Sequence, residues 1–83
     1  MDMKQTITQR IEDAFDDAKI TLTDVTGGGD HWQATIVSKR FEGMSRIQRH
    51  RSVYAALGEL MEGPIHAMTF RTLTPEQFKL ENG

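Results

Sequence analysis

The chain is 83 residues long, carries 10 Lys and Arg against 12 Asp and Glu for a formal net charge of −2, and contains no Cys. Such a length allows one small domain, 1–83, with a thin core, and favours a site on the surface or at a partner interface over a deep catalytic cavity. The charge excludes a globally basic nucleic-acid binder, and the missing Cys excludes a disulfide scaffold, a Cys-based zinc finger, a thiol nucleophile and an iron–sulfur centre built on this chain's thiolates alone.

In chain order, Met3, Ile7, Ile11, Ala14, Phe15 and Ala18 recur at helical spacing and predict a helix over 3–18, opened by an Asp2/Gln5 capping box. Asp13, Asp16 and Asp17 fall off the stripe and read as a solvated acidic face. The β-branched run 20–26 and the alternating run 31–38 flank Gly27-Gly28-Gly29-Asp30, which predicts an antiparallel hairpin. Residues 39–44 read as a loop. Ser45 and Gln48 form a second capping box that opens a helix over 46–61, with Ile47, Val53, Tyr54, Leu57, Leu60 and Met61 as its apolar stripe and Gly63-Pro64 as its stop. A third strand follows over 65–73. Thr74-Pro75-Glu76-Gln77 then starts a short terminal helix through about Leu80.

The order is αββαβα. A helical crossover makes strands two and three parallel, giving a three-stranded mixed sheet with the two long helices on one face, an α+β fold. No apolar run approaches the ~18 residues of a membrane span. The polar start MDMKQTITQR lacks the apolar region of a secretory signal, so the chain reads as cytoplasmic.

Parallel strands begin at the same sheet end, where His31 opens strand two, His66 opens strand three and the glycine turn lies beside them. Neighbouring strands lie ~4.8 Å apart, close enough for two imidazoles to meet one ion, although solvated or hydrogen-bonded histidines are the alternative reading. Two ligands do not close a metal site, and any thiolate must come from a partner. His50 falls within the stripe of the second helix and reads as a core-facing structural histidine, hydrogen-bonded to the 39–45 loop. Ser45 is assigned to capping. The segment 39–51 sets Lys39, Arg40, Arg46, Arg49 and Arg51 against Glu42 alone. It suits an anion or an acidic protein partner. No nucleophile constellation or phosphate-binding glycine loop appears, and no enzymatic activity is expected.

The run Phe41-Glu42-Gly43-Met44-Ser45-Arg46-Ile47-Gln48-Arg49-His50-Arg51-Ser52-Val53-Tyr54, with Leu57 and Ile65-His66-Ala67-Met68, resembles the BolA family. The hairpin ending His31-Trp32 and the Thr-Pro-Glu-Gln close extend the resemblance over nearly the whole chain. The shortness and the His in the glycine loop look most like the bacterial branch called IbaG or YrbA. The resemblance implies a KH-like (class II) αββαβ fold and no enzymatic activity. It also implies a monothiol glutaredoxin partner sharing a bridging [2Fe–2S] cluster in iron–sulfur or iron homeostasis. His66 and His31 are then cluster ligands, and the glutaredoxin and its glutathione supply thiolates. Such a Rieske-like set is expected to differ in potential from all-thiolate clusters and to be more acid-labile.

By itself the chain is expected to hold no cofactor and to be a monomer or weak homodimer. DNA is the alternative partner, for a transcriptional regulator. No two glycines stand three apart, so a GXXG grip is missing and DNA contact would rest on 39–51. Arg46, Arg49 and Arg51 are expected to serve protein docking more than DNA. His31, beside three glycines, is expected to be the more adaptable ligand.

Overall fold

The computed structural model describes residues 2–63, 65 and 67–82. Helix α1, Met3–Ala14, begins where the Asp2 carboxylate accepts the Gln5 N–H at 2.8 Å, and it buries Ile7 and Ile11. It stops short of residue 18 because Phe15 leaves helical geometry at φ −130° and ψ 88°. The turn that follows puts Asp17 to structural use. Its carboxylate accepts the Ser38 hydroxyl at 2.6 Å and the Lys39 N–H at 2.7 Å, and these two bonds hold its pKa below the usual carboxylate range. Asp17 is exposed, as are Asp13 and Asp16, but it also anchors the end of the hairpin.

Strand β1, Lys19–Asp24, runs antiparallel to β2, His31–Val37, with Leu22 opposite Ala34. Strand β3, Ala67–Leu73, lies parallel on the other side of β2, with His31 in register with Ala67 and Val37 with Leu73. β1 begins one residue before the predicted start and ends two residues before the predicted end, and β2 ends one residue early. Ile65 is buried ahead of β3, and Pro64 and His66 lie outside the described residues.

A three-residue 3-10 turn, Lys39–Phe41, leads to α2, Arg46–Leu57. The Ser45 box forms in both directions: Ser45 Oγ accepts the Gln48 N–H at 3.2 Å, and Gln48 Oε1 accepts the Ser45 N–H at 2.8 Å. The helix ends at Leu57, four residues before the predicted end at 61. Gly58 takes φ +53°, open to glycine without strain, and Gly58–Glu62 continue as a 3-10 segment. Arg10 of α1 closes this end by donating to the Leu57 carbonyl at 3.3 Å and to Glu59. Helix α3, Pro75–Asn82, starts from a reciprocal Thr74/Gln77 box and packs on β3.

Side chains alternate along β2, so Trp32, Ala34 and Ile36 face the helices. They join Ile7, Ile11, Val53, Leu57, Leu22 and Phe70 in one core. The stripe of α2 differs from the predicted one. Val53 and Leu57 are buried, but Ile47 is 63% and Tyr54 46% exposed.

Hydrogen bonds from Arg10 and from its own backbone hold Glu59 down at about 2. Asp17 and Glu59 are both depressed, so their stabilisation is complete above the ordinary carboxylate range and is lost as pH falls through the depressed values. The urea midpoint should decline between about pH 4 and about pH 2. The Asp17→Asn, Glu59→Gln double variant should show a shallower decline, read by urea titration at each pH.

Candidate functional site

The β1–β2 turn is built by one carboxylate. Asp24 accepts the Gly27 N–H through Oδ1 and the Gly29 N–H through Oδ2, each at 3.0 Å. Gly27 and Gly29 take φ of +81° and +78°, which explains glycine at both places. The Trp32 indole N–H donates to the Gly29 carbonyl at 3.0 Å, anchoring the tip to a buried ring. The turn is also tied to β3, because the Ala67 N–H donates to the Asp30 carbonyl at 3.2 Å. Three successive glycines are thus held by hydrogen bonds at both ends, and the adaptability expected of His31 is not built into this turn.

His31 opens β2 with its Nδ1 turned to Asp30 Oδ1 at 3.4 Å, and the same oxygen accepts the Thr26 hydroxyl at 3.1 Å. At that distance Asp30 is an ion-pair neighbour of the ring without hydrogen-bond geometry, and a carboxylate commonly stands behind a ligating histidine. His31 stands at the wall of a shallow cavity of about 310 Å³ that it shares with Val25, Thr26, Ala67 and Thr69. The cavity therefore joins the starts of β2 and β3. Among the described residues no three His, Asp or Glu side chains gather as a metal-binding group. His66 precedes Ala67 in sequence and lies outside the described residues.

The basic segment is dispersed. Lys39 lines a cavity at the other end of the sheet. Arg40 lies 3.5 Å from Asp16. Arg49 is turned inward: Nε donates to the Met44 carbonyl at 3.2 Å, and Nη1 to the Thr72 carbonyl at 3.1 Å and to Gln77 Oε1 at 2.9 Å. Its guanidinium also covers the Phe41 ring at 5.8 Å. Of the five cations, Arg46 and Arg51 stand exposed on α2 beside Ile47 and Tyr54.

His50 is half-buried with its ring edge-on to Phe70 at 5.8 Å, and it is Arg49 that bonds to the 39–45 segment. A polar groove of about 490 Å³ between α2 and α3 holds Arg46, Arg49, His50 and Arg71. Arg71 is neutralised there by Glu81, whose oxygens accept from its Nη2 at 2.6 and 2.8 Å. Asp30 reads as a turn residue from the sequence, while Asp17 and Asp24 were missed as structural acids because they act through backbone and hydroxyl donors that sequence spacing does not reveal. For Asp24, the Asp-x-x-Gly pattern of 24–27 carries a local turn signal.

A family model described as BolA-like protein matches residues 5–77. BolA-like protein 1 of Bos taurus is 39% identical over 80 residues, 88% of this chain and 59% of that protein. The chain therefore spans about three fifths of the length of such relatives. The DNA-binding transcriptional regulator BolA of Haemophilus influenzae is 29% identical over 99% of this chain and 86% of its own. The acid stress protein IbaG of Escherichia coli is 36% identical over 65% of this chain and 66% of its own, which puts the IbaG/YrbA type among the relatives. BolA1 from Arabidopsis thaliana superimposes with a TM-score of 0.86 at 27% identity, covering 93% of this chain and 96% of that one. No helix among the described residues is long and apolar enough to cross a membrane. With its order of elements, its mixed sheet and the family pattern over 5–77 all in agreement, the chain belongs to the BolA-like family.

Proposed function

We propose that this chain is an adaptor that docks on a monothiol glutaredoxin and shares a bridging [2Fe–2S] cluster with it, His31 and His66 being its ligands, in iron–sulfur or iron homeostasis. The observation that carries this reading is the register of β2 and β3. His31 pairs with Ala67, the neighbour of His66, and its Nδ1 is already turned to a carboxylate. The donor set suits iron, since imidazole is a borderline ligand and the partner brings the thiolates. The cluster, when bound, supplies electron- or iron-transfer chemistry. The chain's own residues place the Asp30 carboxylate beside one imidazole, hold the turn through Asp24 and present Val25, 60% exposed, as an apolar contact beside it. The matched relatives described above carry no enzyme name, in keeping with an adaptor.

Anaerobic co-purification with a monothiol glutaredoxin and glutathione tests the reading. A coloured complex with visible absorption and circular dichroism altered from the glutaredoxin homodimer is expected. A colourless mixture that elutes as separate proteins would overturn it.

The second reading, a DNA-binding regulator acting through 39–51, is favoured by the name of the Haemophilus relative and by exposed Arg46 and Arg51. The two readings separate by charge reversal. Arg46→Glu with Arg51→Glu should weaken glutaredoxin docking, more at low than at high ionic strength, and leave the fold intact. Unchanged docking with lost sequence-specific DNA binding would favour the regulator. Arg49→Ala belongs in neither comparison, because its guanidinium is bonded within the fold.

A further inference from the structure

We infer that the cavity between the last residues of the hairpin and α3 is a binding site for a small amphipathic anion, an acyl or aryl body carrying a carboxylate or phosphate. It measures about 510 Å³, within the range of small-molecule sites, and lies between Lys19 of β1, Val37 of β2, Lys39, and Pro75, Phe78 and Lys79 of α3. Val37 is in register with Lys19 and Leu73, six residues along β2 from His31. At ~3.3 Å per residue that is roughly 20 Å from the proposed metal end. The site is therefore separate from the one proposed for the cluster.

Its chemistry is two-sided. Val37, Pro75 and Phe78 offer an apolar floor. Around them stand Lys19, Lys39 and Lys79, three of the four lysines in a chain whose net charge is negative. Among the described residues, none of these three ammonium groups enters an ion pair. The single acid of the lining is Asp17. Its oxygens accept from Ser38 and from the Lys39 backbone, and its one negative charge offsets only one of the three ammonium charges. The cavity is left with an excess of positive charge over an apolar surface, which complements an anionic head on an apolar body. Long lysine stems can lie along such a body while their heads remain wet.

Octanoate titrated into the isolated 15N-labelled chain, without metal or glutaredoxin, tests the assignment. Amide shifts should concentrate at Lys19, Val37, Lys39, Phe78 and Lys79. Octanoate should bind about fivefold more tightly than octanol of the same chain length. Phe78→Ala should weaken octanoate about tenfold, and Lys19→Glu with Lys79→Glu should remove its advantage over octanol, with unchanged thermal unfolding reporting an intact fold. Shifts scattered over other surfaces, or equal affinity for octanol in the wild-type chain, would overturn the proposal. Neither result bears on cluster sharing, which is read in a different complex at the other end of the sheet.

Discussion

Reconstituted with a monothiol glutaredoxin and glutathione, the His66→Ala and His31→Ala chains should each fold, bind the apo-partner and fail to retain a stable mixed cluster. The His66 half follows from the family pattern Ile65-His66-Ala67-Met68. The His31 half has changed weight. Sequence reasoning makes it the milder lesion, because three glycines suggest a ligand that can shift. The Asp24 carboxylate on Gly27 and Gly29, and the Trp32 indole on Gly29, remove that ground for asymmetry. A preorganised ligand contributes more than an adaptable one, so its loss should be as severe. Asp30→Ala, which keeps both imidazoles, should lower iron affinity by about tenfold, the low end of the usual effect of losing a carboxylate behind a ligating histidine, because its contact with the ring is an ion pair and not a hydrogen bond. Iron content and visible circular dichroism read all three. Wild-type values from either histidine variant would refute its assignment.

Phe41→Ala should destabilise the fold by about 3–5 kcal/mol, a large share of the ~5–15 kcal/mol available to an ordinary domain. Phe41 is fully buried, lies 5.1 Å from the Phe15 ring and carries the Arg49 guanidinium over its face. Truncation removes three contacts at once: core volume, the aromatic pair and the surface on which Arg49 rests. Phe41→Leu, which keeps most of the volume, should recover much of the loss. Urea denaturation followed by Trp32 fluorescence measures both. The result would also reinterpret the family pattern. Phe41 fills the core, Gly43 holds φ +79°, Ser45 caps α2 and Arg49 binds carbonyls, which leaves Arg46, Arg51 and the half-exposed Tyr54 as members turned outward.

The parallel pairing of β2 and β3 was legible because a helix separates two alternating runs, and a crossover of that kind leaves little choice of direction. The face of α2 was not. Ile47 and Tyr54 are seven apart and draw an apolar line, yet at about 100° per residue they stand roughly 100–120° from Val53. The inward line instead runs through Arg49, Val53 and Leu57, and a charged residue on it hides the stripe from any hydrophobic pattern. Arg49 sits there because carbonyls of Met44 and Thr72, brought near only by the fold, accept its protons. The 310 Å³ cavity beside His31 was half legible: the strand starts follow from topology, while the Asp30 orientation depends on the turn's own bonds.

The same Arg49 bond has a consequence for self-association. Among the described residues β3 has a strand partner only on its β2 side, so its outer row of peptide groups is a template on which another chain's strand can add. Leu73 directs its carbonyl inward to Ser38, and Thr72 by alternation directs its own outward, where Arg49 occupies it. A guanidinium fastened to that carbonyl, with α3 docked alongside, blocks the register an incoming strand would need. The edge is thereby guarded against fibrillar stacking by a side chain whose place in the sequence reads as one more surface charge.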